Sequence, residues 1–179
     1  MHRNYLIGLL ESYHPEDPQE VEMKNALLKF VRGNAMCFER SLEEGHVTAS
    51  CWLLNCVGSH ALLMHHAKIG KWIQPGGHCD GDPDVVAVAM KEAREESGIE
   101  KVCLVRPQIF DLDIHVFPAG KDVKEHLHYD VRFLLQAVGD DTLVQNGESN
   151  HLLWVGKEDS LPTDSRSIVR MYEKWISLY

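Results

Sequence analysis

Hydrophobic residues recur at helical spacing in the first part of the chain. Residues 4–13, NYLIGLLESY, repeat apolar side chains every three to four positions, and residues 14–18, HPEDP, interrupt the pattern. A second amphipathic run, residues 19–34, ends at Gly33-Asn34, a helix stop signal. We therefore predict two helices before Gly45.

The pattern changes to that of strands after Gly45. Residues 46–56 and 61–67, HVTASCWLLNC and ALLMHHA, are rich in strand-forming side chains and are separated by turn residues. Residues 71–84, KWIQPGGHCDGDPD, have the Gly, Pro and Asp content of a loop. A helix is then predicted from Val85 to Ser97, with Asp84 or Asp82 as its N-cap and Gly98 as its C-terminal stop.

Two longer strand-like segments follow this helix, over residues 102–118 and 125–138. The second alternates strictly, so its apolar and polar side chains are predicted on opposite faces. The apolar face comprises Leu127, Tyr129, Val131 and Phe133, and the polar face comprises His126, His128, Asp130 and Arg132. A short strand over residues 151–159 and an amphipathic helix over residues 165–179, capped by Ser165, end the pattern.

This order of elements indicates an α/β protein in which a mixed β-sheet lies between helices. We predict a helical N-terminal extension over residues 1–44 and one domain over residues 45–179. The amphipathic faces of the extension need burial, which they would find over a cleft or in a homodimer interface.

Composition narrows the class of partner and the compartment. The 179 residues carry a net charge of −9, which opposes non-specific binding to nucleic acid or to anionic membranes. Five cysteines form no C-x-x-C pair, which is typical of a reducing compartment. The N-terminal apolar run is too short for a signal peptide, and no segment has the length of a membrane span. We expect a cytoplasmic, soluble protein with a small-molecule substrate.

Three carboxylates lie where a helix disfavours them. Glu92, Glu95 and Glu96 project from one stripe in the last turns of the predicted helix, although its C-terminal end carries partial negative charge. Gly76-Gly77 precedes this helix and permits a close backbone approach. A divalent cation held by these carboxylates and by loop carbonyl oxygens would offset the repulsion, because hard cations prefer oxygen ligands.

Residues 77–99 resemble the Nudix box, the signature of the Nudix hydrolase superfamily. That box is a glycine, five residues, a glutamate, seven residues, and then Arg-Glu-apolar-any-Glu-Glu-any-Gly-apolar. The chain departs from it at Pro83, in place of the first glutamate, and at Lys91, in place of the arginine. In the family these two positions commonly form an ion pair, so Asp82 or Asp84 is the expected alternative partner of Lys91. The matching positions are Gly77, Glu92, Ala93, Glu95, Glu96, Gly98 and Ile99.

The resemblance implies a Nudix-like α/β/α sandwich and hydrolysis of a diphosphate that joins a nucleoside to another group. Carried over residue by residue, Glu92, Glu95, Glu96 and the Gly77 carbonyl would bind Mg²⁺ or Mn²⁺, with Glu95 and Glu96 acting in catalysis. Glu148 is a further catalytic candidate, because the family often has an acid shortly before a Trp-containing strand.

Three side chains of the polar strand face, His126, His128 and Asp130, are candidates for binding the substrate. Their His-x-His spacing also suits a transition metal, and a solvated strand face is the plain alternative. We give lower priority to a group of polar, aromatic and thiol side chains: Asp111, Asp113, His115, His65, His66, His78, Trp72 and Cys79.

Two other functions are compatible with an altered box. One is a Nudix fold that has lost catalysis and serves as a binding or regulatory module, which Pro83 and Lys91 suggest. The other is an isomerase of isopentenyl diphosphate, which uses this fold with a degraded box and a catalytic cysteine. The intact acids Glu92, Glu95 and Glu96 disfavour the isomerase.

Overall fold

A computed structural model describes residues 2–120 and 124–178. Two helices come first, α1 (Asn4–Ser12) and α2 (Pro18–Gly33). The strands before the central helix are β1 (Gly45–Leu54), β2 (His60–His66), β3 (Trp72–Ile73) and β4 (Gly76–His78). The central helix is α3 (Val85–Ser97), and β5 (Val102–Leu104), β6 (Asp111–Phe117), β7 (His126–Ala137), β8 (Ser149–Gly156) and α4 (Arg166–Ile176) follow it.

The described strands form one mixed sheet. Its main path is β3-β2-β1-β7-β5, while β4 pairs with β1, β6 with β7 and β8 with β2. β1 and β7 run parallel and pair along their length, from Gly45 opposite Leu127 to Leu54 opposite Gln136. The other pairs are antiparallel. The α/β class and the mixed sheet are therefore confirmed.

Each face of the sheet is covered by helices. One core cluster joins α1, α2 and α3 to the face of β1 and β7 that carries Val47, Val131 and Phe133. The other cluster joins α4, through Met171 and Trp175, to the opposite face. The molecule is an α/β/α sandwich with an N-terminal helical pair, as predicted. None of the helices in the described part of the chain is long and apolar enough to cross a membrane.

The N-terminal helices bury their apolar faces within their own chain. Leu6 and Leu10 of α1 and Leu27 of α2 are fully buried in the cluster that also contains the sheet. Asp17 caps α2 by accepting hydrogen bonds from the N–H groups of Gln19 and Glu20. Burial of these faces thus requires neither a cleft nor a second copy of the chain.

Two predicted segments differ from the observed ones. Residues 102–118 are two strands instead of one, because the chain leaves the sheet after Leu104 and re-enters at Asp111, with Pro107 between them. The predicted loop over residues 71–84 contains the short strands β3 and β4. The predicted cap Ser165 lies at the start of α4, but its side chain makes no capping hydrogen bond.

Candidate active site

Helix α3 positions the acidic side chains. Asp84 starts the helix by accepting a hydrogen bond of 3.0 Å from the Ala87 N–H. Gly98 ends it in the left-handed region, with φ of 77°, and its N–H donates to the Arg94 carbonyl. Both ends agree with the prediction. Glu92, Glu95 and Glu96 consequently lie in the last turns of a helix that packs on the sheet.

Glu96 and Glu92 converge on the glycine pair of β4. The buried Glu96 carboxylate accepts a hydrogen bond of 2.8 Å from the Gly76 N–H. A Cβ at residue 77 would lie 2.6 Å from Cδ of Glu92 and 2.7 and 2.9 Å from its oxygens. Only glycine therefore lets the backbone come this close to the Glu92 carboxylate.

The two converging carboxylates are electrostatically disfavoured. Burial raises the pKa of Glu96 to about 8; the bond from Gly76 opposes this shift, and the charges of Glu92, Glu148 and Glu95 add to it. Burial also raises the pKa of Glu92, against the lowering effect of Lys91. Among the described residues no cationic side chain forms an ion pair with Glu96. The carboxylate oxygens of Glu96, which lack a balancing charge, fit a hard divalent cation.

Glu95 differs from the other two acids because its side chain is 56% exposed. Lys91 Nζ lies 3.2 Å from Glu92 Oε1 and 3.3 Å from Glu95 Oε2. The expected pairing of Lys91 with Asp82 or Asp84 was wrong. Each aspartate instead accepts a hydrogen bond from a backbone N–H near the helix start.

Glu148 approaches the acids of α3 from another loop. The Asn146 side chain donates a hydrogen bond of 2.8 Å to the Glu95 carbonyl, and its Oδ1 accepts 2.9 Å from the Glu148 N–H. The charge of Glu148 raises the pKa of both Glu92 and Glu96. The structure therefore brings the four acids of the predicted site to one end of α3.

Histidines occupy the neighbouring strands. His126 Nε2 lies 3.1 Å from His128 Nε2, and the rings of His46 and His78 lie 4.9 and 5.0 Å from that of His128. Burial is the main cause that lowers the pKa of His46 and of His78 to about 4 each and that of His128 to about 2. These three imidazoles are therefore neutral at pH 7. His128 belongs to a buried histidine group, and His126 lies at its partly exposed edge.

Asp130 lies behind these histidines and is buried. Its carboxylate accepts hydrogen bonds from Thr48 (3.0 Å), Ser50 (2.7 Å), Gln74 (3.3 Å) and Arg132 (2.7 Å). A carboxylate engaged by four donors is held by the protein itself, so Asp130 organises the polar face between β1 and β7.

A pocket of about 430 Å³ lies elsewhere, between the loop after α1 and helix α4. Tyr13, Arg106 and Lys174 help to line it, and none of the acids of α3 does.

Comparison with known proteins identifies the family. A family model described as the NUDIX domain matches residues 44–175. This match includes the acidic helix, the glycine pair and the loop that carries Glu148. The chain belongs to the Nudix family. It is accordingly a Nudix-type pyrophosphohydrolase that acts on acid anhydrides, the enzyme class expected from the sequence.

Solved structures of other Nudix proteins share the fold. An Ap4A hydrolase from C. elegans, in a binary complex, is 18% identical with a TM-score of 0.58, and the match covers 73% of this chain and 95% of that one. A NUDIX-family hydrolase from Clostridium perfringens is 24% identical with a TM-score of 0.56, covering 75% and 98%. An ADP-ribose pyrophosphatase from Streptococcus suis is 19% identical with a TM-score of 0.51, covering 73% and 89%. No curated protein matches the chain significantly in sequence.

The altered Nudix box is braced by the N-terminal segment. Arg40 Nη2 lies 2.6 Å from Asp80 Oδ2, and the Gly81 N–H donates 3.0 Å to the Phe38 carbonyl. Pro83, which replaces the box glutamate, lines a surface pocket together with Tyr5 of α1. Contacts of Asp80 and Gly81 with Arg40 and Phe38 thus hold the glycine loop, where other members of the family commonly use an ion pair.

The sequence did not predict two histidines of this region, His46 and His78, as site residues. The sequence pattern does not distinguish His46 from other strand residues, and it places His78 in the glycine loop. The available signal was alternation along β1, which places His46, Thr48 and Ser50 on one face. Their proximity to His128 depends on strand pairing that the sequence alone does not show.

Proposed function

We propose that this Nudix protein hydrolyses a diphosphate linkage between a nucleoside and another group, with Mg²⁺ or Mn²⁺ as cofactor. Glu92, Glu95, Glu96 and the Gly77 carbonyl would hold the ion. The observation that carries the proposal is the approach of two partly or fully buried carboxylates, Glu92 and Glu96, to one glycine pair.

The donor set determines the chemistry that the site can support. When bound, the divalent ion neutralises phosphate charge and activates a water molecule for attack on phosphorus. Glu96 is fixed by the Gly76 N–H, so its carboxylate has a defined direction. Glu95 is exposed and its side chain pairs with the exposed Lys91, an arrangement that lets it turn toward the ion or the substrate. Glu148 faces the same end of the helix and is a further proton-accepting group.

Substrate binding is assigned to the polar face of β7. His126 lies at the partly exposed edge of the histidine group and is the residue proposed to contact phosphate. His128 and Asp130 are buried and would support binding by orienting the face behind it. The names of two structural relatives, Ap4A hydrolase and ADP-ribose pyrophosphatase, point to adenosine-linked phosphoanhydrides as the first substrates to try.

We also propose that the protein acts in the cytoplasm. All five cysteines are free, which is typical of a reducing compartment. The negative net charge favours a small-molecule substrate over nucleic acid or a membrane surface.

A substrate panel tests the proposal. Ap4A, ADP-ribose, nucleotide sugars and NADH are incubated with the protein and Mg²⁺ or Mn²⁺, and phosphate-containing products are quantified. We expect turnover of at least one compound, and loss of at least about 100-fold in Glu92→Gln and Glu96→Gln. This loss exceeds the 10- to 100-fold typical of residues that only orient a metal ligand. Labelled water then identifies the phosphorus that is attacked.

Glu100→Gln is the matched control, because Glu100 is exposed just beyond α3. It should retain wild-type turnover. A folded wild-type protein that binds these nucleotides but hydrolyses none would contradict the proposal and favour a binding module. Equal turnover in Glu96→Gln and wild type would contradict the assignment of the acids.

The isomerase alternative is tested by incubation with isopentenyl diphosphate. The box-loop thiol Cys79 is buried, and burial raises its pKa well above the ordinary range. A thiol in this state is a poor nucleophile, so we expect no isomerised product.

A further inference from the structure

Three histidines from three strands meet on one face of the sheet. His46 of β1 lies opposite His128 of β7, and His78 of β4 lies opposite Thr48, on the same flank of β1. One ring nitrogen from each of the three lies within 4.8 Å of the others. Nitrogen atoms bound to one zinc ion are about 3.4 Å apart, so small side-chain rotations would close the group around an ion.

His46 lacks the partners that a buried imidazole needs. Its residue is 2% exposed, and neither ring nitrogen has a hydrogen-bond partner in the part of the chain that the structure describes. A buried polar group without a partner costs about 1–3 kcal/mol. A cation bound by the unprotonated ring nitrogen would supply a partner for that atom.

The surroundings favour a closed site with one open edge. The Phe117 ring stacks on those of His126 and His128, with centroids 5.2 and 4.9 Å apart, and so shields that side from water. His126 and His115 lie at the partly exposed edge. Arg40 and Asp80 pair with each other, so their charges act on His46 and His78 in opposite directions.

We propose that His46, His78 and His128 bind one transition-metal ion, with Zn²⁺ favoured. Neutral imidazole is a ligand for Zn²⁺, Co²⁺, Ni²⁺ and Cu²⁺, whereas Mg²⁺ prefers oxygen. Three protein ligands leave a fourth position for water, for His126 or for an anionic group of a substrate.

This site is separate from the carboxylate site of α3. Successive side chains of a strand point to opposite faces. His78 therefore lies on the face of Thr48, whereas the open side of Gly77 faces Glu92 on α3. Strand β4 lies between the two groups of ligands.

Metal titration of the full-length protein tests the inference. Protein stripped with a chelator is titrated with Co²⁺, followed by visible absorption, and with Zn²⁺, followed by calorimetry. We expect one ion per chain to give the absorption typical of a four-coordinate cobalt site. Each of His46→Ala, His78→Ala and His128→Ala should weaken binding more than about tenfold, since even residues that only orient a ligand contribute about 10- to 100-fold.

Two controls isolate the site. The double variant His65→Ala/His151→Ala removes another cross-strand histidine pair, with ring centroids 6.2 Å apart, and should bind Co²⁺ as wild type does. Glu92→Gln/Glu96→Gln should also retain Co²⁺ binding, which separates this inference from the proposed hydrolysis.

Folding of each variant is checked by circular dichroism. If the His46→Ala and His128→Ala variants do not fold, the metal affinity of His78→Ala tests the inference. Three results would overturn the inference: a wild type that binds neither ion, a folded His78→Ala that binds as tightly as wild type, or Co²⁺ binding that is lost only with the acids of α3.

Discussion

At the scale of single residues, Gly77 sets the distance between the glycine pair and the acidic helix. We expect Gly77→Ala to displace the Glu92 carboxylate, because the new Cβ would lie within 2.9 Å of its three terminal atoms. Displacing a catalytic group by about 1 Å can cost about 100-fold in rate. Steady-state turnover and Mn²⁺ affinity should both fall, while the fold is retained. Gly33→Ala is the control, since a Cβ there meets no atom within 4 Å; equal losses in both variants would contradict this role of Gly77.

Asp113 gives a residue-scale prediction about pH. Burial alone would raise its pKa, but the hydrogen bond with His115 and the charges of Arg132 and Arg170 outweigh burial and lower it to about 2. The folded state therefore holds the Asp113 proton less tightly than the unfolded state, in which the pKa is about 3.9. Its contribution to stability is complete above about pH 5 and is lost as pH falls through 3.9 toward 2.

Urea unfolding of wild type and Asp113→Asn measures this contribution. At pH 6 the variant should be less stable by about 2 kcal/mol, and the difference should shrink at pH 3. Asp164→Asn, at an exposed position, should match wild type at both pH values. A difference that is the same at pH 6 and pH 3 would show that the Asp113 charge is not responsible.

The residues of the site differ in how far the sequence could predict them. Glu92, Glu95 and Glu96 lie within one helix, so helical periodicity was enough to place them together. Glu148 required a family resemblance, because a separate loop brings it near the helix. His46 could not be recognised, since its role depends on the pairing of β1 with β7 and β4.

At the scale of elements, the loop between β7 and β8 is hydrogen-bonded to the C-terminal end of α3. The Val144 N–H donates 2.8 Å to the Ser97 carbonyl, and Asn146 joins the Glu95 carbonyl to the Glu148 N–H. We expect Asn146→Ala to loosen Glu148 and to lower kcat by about tenfold or more, with Mn²⁺ affinity changed less. Asn150→Ala, outside this contact, is the control. An unchanged kcat in Asn146→Ala would separate Glu148 from the chemistry.

Element boundaries were predictable where local signals are strong. The bounds of α3 follow from Asp84 and Gly98, whose capping roles depend on their own side chain or backbone. Strands β3 and β4 were missed, because they are only two and three residues long and are defined by pairing with β2 and β1. The apolar face of β7 was predicted correctly. On its polar face His128, Asp130 and Arg132 are buried, so the alternative of a solvated face does not hold for them.

At the scale of the whole molecule, a buried network of ion pairs and hydrogen bonds joins helix α2 to helix α4 and to strand β6. Glu20 of α2 accepts bonds of 2.7 and 2.6 Å from Lys174 of α4 and of 2.9 Å from the Leu112 N–H of β6. Lys174 also lies 2.8 Å from Asp111, which pairs with Arg132 and Arg170. The sequence did not predict this network, because its members are far apart along the chain.

We expect Glu20→Ala to lower the free energy of unfolding by about 3–5 kcal/mol, since it leaves the Lys174 charge without one of its buried partners. Glu22→Ala, on the exposed side of the same helix, should change it by about 0.5 kcal/mol or less. Denaturant unfolding at neutral pH gives both values. Equal free energies of unfolding in the two variants would mean that Glu20 does not stabilise the packing of the N-terminal helices on the rest of the chain.

The most direct test of the account is the location of a divalent ion in crystals grown with Mn²⁺ and a non-hydrolysable nucleotide. We predict a manganese anomalous peak at the end of α3, among Glu92, Glu96 and the Gly77 carbonyl. The same peak should be missing from crystals of Glu92→Gln/Glu96→Gln. Crystals of the wild type that show no peak at this position, or show one only among His46, His78 and His128, would contradict the central claim.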